Sequence, residues 1–250
     1  MQTCAARSLY YSQMATHFAG FPDTHWSVFQ NAESSDEQRL AAIERLARLY
    51  WRPVYAYIRA RWRRTSEDAL DLAQEFFLRL LDGRLVSGAD PGRGRFRAFL
   101  KASLDHFVIN QARSDQALAR GGGTRRFSLG SDLRADEVDV PTDEPPNEAL
   151  DRHWRRAVLD QAIALLDSRY ASSGRAHYIA LFRRYDLATG PRPTREELAV
   201  EFKMTHIDVD TCVRRVRKDL VGAVREVLAS TVDGDAALED EVRDFFGGTI

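Results

Sequence analysis

The side chains best suited to binding a ligand form a stripe along one predicted helix, residues 95–119. Four of them share one side of that helix at helical spacing: Phe99, His106, Asn110 and Arg113. An aromatic ring, hydrogen-bonding groups and a cation offer an unstacked base a stacking plane, an edge partner and a phosphate partner. Taken alone, Phe99 suits core packing and His106 suits an ordinary surface position. The stripe as a whole predicts contact with single-stranded nucleic acid.

A second predicted helix carries a stripe of the opposite charge. The run Thr65-Ser66-Glu67-Asp68 is typical of a helix start, and Gly83 of a helix end. Apolar residues occupy one side, and the other side holds Asp68, Asp71, Gln74, Glu75 and Asp82. An acidic face in an otherwise basic segment is either solvated surface or a contact surface for a basic partner.

Residues 194–228 carry the apolar spacing of a helix-turn-helix. Thr194-Arg195-Glu196-Glu197 predicts a capped helix start. The apolar and small residues that would hold two crossing helices together are Leu198, Ala199, Phe202, Met204, Val209 and Cys212. Basic residues follow, so the pattern predicts a module that binds duplex DNA, although an ordinary helical hairpin has the same spacing. Lys203 stands where the turn usually has Gly, at a cost of about 1 kcal/mol if its backbone is left-handed.

Motifs of the common enzyme classes are missing. The sequence has no phosphate-binding loop, no HExxH, no GxSxG and no GxGxxG. Its six histidines show no ligand-like spacing, and two cysteines are too few for a cysteine-built zinc site. We therefore expect a binding protein without a catalytic site, metal or cofactor. Because no long apolar stretch and no signal peptide is apparent, we expect a cytoplasmic protein without membrane insertion.

Charge is strongly segregated along the 250 residues, although the net charge is only −1. Residues 39–126 are net +9 and residues 151–228 are net +4. Residues 127–150 are net −6 and residues 229–250 are net −5. Two basic blocks separated by an acidic strip predict two modules that each meet a polyanion.

Helical periodicity throughout predicts an all-α fold with two helical domains joined by a flexible acidic linker. The expected parts are an N-terminal extension (1–33), a first domain (34–120), the linker (121–149), a second domain (150–230) and an acidic C-terminal extension (231–250). Pro53 is expected to kink or divide the first long helix. Leu238, Val242, Phe245 and Phe246 predict a short amphipathic segment that docks back or contacts a partner.

Three segments together resemble one known family. They are Asp71-Leu72-Ala73-Gln74-Glu75-Phe76-Phe77, Phe96-Arg97-Ala98-Phe99-Leu100, and residues 194–228. They resemble the RNA polymerase sigma factors of the extracytoplasmic-function (ECF) type, in the sigma-70 family. Thr24-His25-Trp26-Ser27 also resembles a subset of these proteins. The resemblance covers roughly residues 24–120 and 150–230.

The resemblance implies a site for each step of promoter recognition. The first domain would dock on the β′ clamp helices of core RNA polymerase through Asp68, Asp71, Gln74, Glu75 and Phe77. It would open the −10 element with Arg97, Phe99, His106, Asn110 and Arg113. The second domain would contact the β flap and read the −35 element with His206, Asp210, Thr211, Arg214, Arg215 and Lys218. Asp210 replaces a usually basic or polar residue, and it either accepts from a cytosine amino group or faces away.

The implied partners are core RNA polymerase and promoter DNA, and an anti-sigma factor or another regulator is a further candidate. A stand-alone helix-turn-helix regulator is the main alternative, and it leaves residues 66–120 without a role. A helical adaptor and a nuclease are further alternatives. Either Met1 or Met14 is the start.

Overall fold

A computed structural model describes residues 36–81, 96–118, 144–232 and 234–247 of the chain. Within these residues the protein is all-α, as predicted. The helices are α1 Asp36–Trp62, α2 Ser66–Leu81, α3 Phe96–Leu118, α4 Pro146–Ser172, α5 Ala176–Asp186, α6 Arg195–Phe202, α7 His206–Ala229 and α8 Asp235–Phe245. The predicted N-terminal extension, the Thr24–Ser27 motif and residues 121–143 of the predicted linker lie outside the described residues.

The chain divides into two compact units. Unit 1 comprises Met1–Ala157 and Ala229–Ile250, and unit 2 comprises Val158–Leu228. This division differs from the expected domains, since residues 150–157 and the C-terminal extension belong with the N-terminal helices. The difference arises because the amphipathic segment in α8 finds its apolar partners in unit 1.

The core of unit 1 is built from α1, α2 and α3. Fully buried side chains come from all three helices: Tyr50, Val54, Ile58, Ala73, Phe76, Leu80, Leu100, Leu104 and Phe107. The rings of Phe76 and Phe107 meet edge to face with centroids 5.6 Å apart. Pro53 is buried inside α1, which runs through it as one helix, so the expected division there does not occur.

The α8 helix completes unit 1. Leu238 and Val242 are buried, and Phe245 packs edge to face on Trp154 of α4 with centroids 5.8 Å apart. The expectation that this amphipathic segment docks back is confirmed.

Unit 2 is organised around the helix pair α6 and α7. A buried cluster joins Leu181 of α5 to Leu198, Val209, Cys212 and Val213, and Ala199, Phe202 and Met204 pack against it. The expected apolar spacing is therefore confirmed as the seam between these helices. Burial raises the pKa of the Cys212 thiol, as expected for a cysteine that serves as a small apolar core residue.

The capped start of α6 is as predicted, and the turn between α6 and α7 is left-handed at Lys203. Thr194 and Glu197 form a reciprocal capping box at the start of α6. At its end Lys203 is left-handed, with φ 54° and ψ 48°, and the Met204 N–H donates to the Ala199 carbonyl at 3.0 Å. The turn therefore places a side chain where glycine is favoured.

Candidate nucleic-acid and protein-docking surfaces

The acidic stripe lies on the outer side of α2. Asp68 and Asp71 are exposed, and Gln74 and Glu75 are half-exposed. The Asp68 N–H donates to the Thr65 hydroxyl at 3.1 Å, so Thr65 caps the helix from which the stripe projects. Since the opposite side of α2 is buried, the helix can present these groups without disturbing the core.

One end of the acidic stripe is linked to α3 through Arg79. Glu75 accepts from Arg79 Nε at 2.9 Å, four residues along α2. Arg79 also donates to the Gln111 side chain at 2.8 Å and lies over the Phe107 ring, 4.9 Å from its centroid. Glu75 therefore has an ion-pair partner within the unit, and Asp68 and Asp71 are the more exposed carboxylates of the stripe.

Phe77 is a core residue and does not lie at the edge of the acidic stripe. Its side chain is 3% exposed and packs on Trp51 of α1, with ring centroids 5.6 Å apart. The expectation that it adds apolar contact to the docking surface is corrected, because the ring already has its partners inside unit 1.

The predicted base-binding stripe lies on the outer side of α3. His106 and Asn110 are exposed, and Phe99 is partly exposed. The Arg113 side chain lies outside the described residues. The sequence interpretation overlooked Ile109, which is exposed beside Asn110 and adds an apolar group to this side. The stripe thus combines a ring, hydrogen-bonding groups and an apolar side chain in positions open to solvent.

Arg97 lies on the other side of α3. Two residues along a helix correspond to a rotation of about 200°, so Arg97 cannot share a side with Phe99. It is 7% exposed, and its guanidinium donates to both carboxylate oxygens of Glu241, at 2.8 and 3.0 Å. We therefore remove Arg97 from the candidate −10 contacts, because this arrangement leaves its donors inside the protein.

Further groups complete what we call the Arg97 cluster, consisting of Arg97, Asp151, Trp154, Glu241 and Asp244. Arg97 also pairs with Asp151 at 3.0 Å and with Asp244 at 3.3 Å. Its guanidinium carbon is 3.7 Å from the centroid of the Trp154 ring, a close cation–π contact. The cluster therefore joins α3 to the first turns of α4 and to α8.

Electrostatics favours the charged form of the Arg97 guanidinium. Burial lowers the pKa of Arg97, but hydrogen bonds and Coulombic attraction to Glu241 raise it by more. Burial raises the pKa of the neighbouring Tyr50 hydroxyl, and the charge of Glu241 adds to that rise. Tyr50 is therefore a neutral phenol beside a paired ion.

In unit 2, the start of α7 is held by a reciprocal cap. The Asp208 N–H donates to the Thr205 hydroxyl, and the Thr205 N–H donates to the Asp208 carboxylate, both at 3.2 Å. The Thr205 hydroxyl also donates to the Asp208 carboxylate, at 2.7 Å, and the two hydrogen bonds that this carboxylate accepts from Thr205 lower the pKa of Asp208. The carboxylate thus stabilises the first turn of the helix, in keeping with the helix dipole.

The outer side of α7 carries most of the predicted duplex-reading residues. His206, Thr211, Arg214, Arg215 and Lys218 are exposed. Val209, Cys212, Val213 and Val216 are buried on the opposite side. Arg215 pairs with Asp219 at 3.1 Å on the same helix. The helix therefore presents a mixed polar and cationic surface whose rotation is set by the apolar seam.

Asp210 is engaged within unit 2. Its carboxylate accepts a hydrogen bond from Arg195 at the start of α6. Asp210 is thus an ion-pair partner that links α6 to α7. Acceptance from a cytosine amino group and a side chain that faces away from the DNA both stay predictions.

Two further features of unit 2 were not predicted from the sequence. Ile207 is exposed on the outer side of α7, where the sequence predicted only polar contacts. Arg192 and Arg217 both donate to Asp186, each with one contact of 2.6 Å, and the Arg192 guanidinium lies 3.8 Å from the Tyr185 ring centroid. This second feature depends on the spatial meeting of α5 and α7, for which the sequence has no local signal.

Other kinds of site are not found in the described part of the chain. No group of histidine, cysteine or carboxylate side chains there is arranged to hold a metal ion. No helix there is both long enough and apolar enough to cross a membrane.

Comparison with known proteins gives one match. Residues 44–117 match the family model described as sigma-70 region 2. Neither a curated protein nor a solved structure matches the chain. The matched residues run from α1 to α3 and include both the acidic stripe and the α3 stripe. Proteins with this region are non-enzymatic transcription initiation factors, and the match supports a sigma-factor role in promoter recognition by RNA polymerase.

Proposed function

We propose that this chain is a sigma factor of the sigma-70 family and of the ECF type, acting with RNA polymerase in the cytoplasm. The observation that carries the proposal is the match of residues 44–117 to sigma-70 region 2. Within the matched helices, two polar stripes are exposed while the other sides share one core. This arrangement supports a module that binds protein on one helix and nucleic acid on another.

The acidic stripe of α2 is the proposed contact with core polymerase. Asp68 and Asp71 offer exposed carboxylates to basic residues of the β′ clamp helices, and Gln74 and Glu75 extend the surface along the helix. Charges at the rim of an interface chiefly set the rate and specificity of encounter. Assembly should therefore weaken as ionic strength rises.

The α3 stripe is the proposed site of base capture. Phe99 supplies an aromatic face, and His106 and Asn110 supply hydrogen-bonding groups on the same exposed side. Unstacking a base costs a few kcal/mol, and capture of that base by stacking and edge contacts repays the cost. Promoter opening therefore needs no catalytic residue in this chain.

Unit 2 is the proposed reader of the −35 element, with α6 and α7 as its helix-turn-helix. Support comes from the shared apolar seam, the three-residue turn at 203–205, and the exposed Thr211, Arg214 and Lys218 on α7. A helix presented in this way can enter the major groove, where arginine donors match guanine acceptors. The β flap is the proposed protein contact of this unit.

Reconstitution tests the proposal directly. The full chain is mixed with core RNA polymerase, purified as a complex, and used for transcription on fragmented genomic DNA. We expect a stable complex and transcripts with defined 5′ ends that core polymerase alone does not produce. Failure to join the polymerase, or transcripts unchanged by the chain, would contradict it. Sequence-specific duplex binding without polymerase association would instead indicate the stand-alone regulator.

A further inference from the structure

An apolar side chain stands at the start of the proposed duplex-reading surface. Ile207 is the second residue of α7 and is 63% exposed, on the side opposite the buried Val209 and Cys212. Thr211 and Arg214 follow it at four and seven residues, so the three share one side of the helix. The first residues of a recognition helix are the ones that reach base edges.

The backbone around Ile207 is firmly placed. The reciprocal cap between Thr205 and Asp208 fixes the turn on which it lies. The Thr211 hydroxyl donates to the Ile207 carbonyl at 2.9 Å, so in this arrangement its proton is engaged by the backbone. Ile207 is therefore presented at a rigid position and beside a hydroxyl that serves mainly as an acceptor.

Two carboxylates beside this surface have partners within the protein. Asp210 is paired with Arg195, a residue of α6, and Asp208 is occupied by the cap. These two carboxylates are thus drawn into contacts within the protein. Asp208 is exposed but engaged in the cap, and the other exposed side chains on the first turns of α7 include His206, Ile207, Thr211 and Arg214.

The chemistry of the major groove identifies a ligand for Ile207. Among the four bases only thymine presents an apolar group there, its 5-methyl, and apolar side chains recognise it by contact. A β-branched side chain has few rotamers and loses little freedom when it makes such a contact. An exposed isoleucine at this position is suited to contact with a thymine.

We propose that Ile207 contacts the 5-methyl group of a thymine in the duplex element read by unit 2. This inference rests on the proposed function of the chain. It assigns a specificity determinant on α7, where the sequence interpretation considered only polar residues.

Replacing thymine by uracil tests the contact, because the exchange removes only the methyl group. Holoenzyme made with the full chain is bound to a promoter found in the transcription experiment, with each −35 thymine on either strand replaced singly by uracil. We expect about a fourfold loss of affinity at one position, as for one buried methyl group. For Ile207→Ala we expect the thymine and uracil promoters to bind equally at that position.

Val200→Ala is the matched control, since Val200 is 81% exposed on α6 and does not lie on α7. Its holoenzyme should distinguish thymine from uracil as the wild type does, and thermal melting should show both variants folded. Equal binding of all uracil promoters by the wild type, or discrimination retained by Ile207→Ala, overturns the inference and leaves the proposed function standing. Absence of any promoter-directed transcription overturns both.

Discussion

Arg97 shows that the neighbours of a residue along the chain do not identify its contacts in space. It lies two residues from Phe99, in a segment that resembles a promoter-melting helix, yet it points into unit 1. There it meets Glu241, 144 residues away, and the Trp154 ring. Such a cluster costs desolvation free energy, and the several hydrogen bonds and the stacked ring offset that cost.

Glu241→Gln should destabilise the protein strongly. Removal of one charge leaves Arg97 buried with weaker partners, and breaking a buried pair costs about 3 kcal/mol or more. Urea unfolding of the full chain measures the loss. Hydrogen exchange of α8 should accelerate along with it, because the Arg97 cluster anchors that helix.

Asp240→Asn is the matched control for Glu241→Gln. Asp240 lies on the same helix, but its side chain is exposed and pairs with Arg243 at the surface. Its loss should change the free energy of unfolding by less than about 1 kcal/mol. Equal effects of the two variants would show that the Arg97 cluster does not hold α8.

At the scale of elements, the turn between α6 and α7 keeps a backbone conformation that its residue disfavours. Lys203 is left-handed with φ 54°, its side chain is exposed, and the hydrogen bond from Met204 to Ala199 closes the turn around it. The apolar seam holds the two helices in place, so packing overrides the local preference.

Lys203→Gly should stabilise the chain, because glycine adopts this conformation without strain. The gain is on the order of 1 kcal/mol, reduced somewhat by the greater freedom of glycine in the unfolded chain. Urea unfolding of the full chain measures it. Lys203→Ala removes the same charge but keeps the strain, so it should bring no comparable gain. Stabilisation by both variants would assign the effect to charge.

The acidic stripe of α2 leads to a prediction about binding to core polymerase. Asp71→Lys combined with Glu75→Lys should weaken binding to core polymerase at least tenfold, since both replace attraction by repulsion at the proposed contact. Competition binding with labelled wild-type chain measures the change. The fold should survive, because Asp71 is exposed and Glu75 is half-exposed.

The double variant Glu37→Lys and Glu44→Lys serves as the control for that change in charge. Both residues are exposed on α1, in the same unit. Their reversal should leave the affinity for core polymerase nearly unchanged. Equal weakening of polymerase binding by the two double variants would show that overall charge governs assembly. No weakening by the Asp71 and Glu75 variant would show that the acidic stripe is not the contact.

At the level of the whole molecule, unit 1 is formed by two separate stretches of the chain. Unit 2 is an insertion in the sequence of unit 1, because the chain leaves unit 1 after Ala157 and returns to it at Ala229. The acidic C-terminal segment thereby becomes part of the unit that carries both proposed region 2 surfaces. Its carboxylates supply the partners of a buried arginine.

The free chain should bind promoter duplex weakly. Its net charge is −1, and the basic blocks are offset by acidic segments at 127–150 and 229–250. Fluorescence anisotropy with a labelled promoter should show tight binding only after core polymerase is added, with affinity falling steeply between 50 and 200 mM salt, as is usual for proteins that bind DNA phosphates. Tight binding by the chain alone would favour the stand-alone regulator.

The local features of this protein can be read from its amino-acid pattern. The all-α class, the capped start of α6 and the apolar seam of α6 and α7 follow from caps and helical periods, which are set within a few residues. The two exposed stripes follow from the same periodicity. Their roles at the polymerase and promoter rest on the family resemblance and the region 2 match.

The tertiary structure determines which side chains are available for binding. It buried Phe77 against Trp51, enclosed Arg97 among carboxylates from α4 and α8, paired Asp210 with Arg195, and left Ile207 in solvent. It also placed the C-terminal helix in unit 1. The contacts among these residues join helices that are separate in the sequence. The residue pattern of one helix does not predict which other helices pack against it.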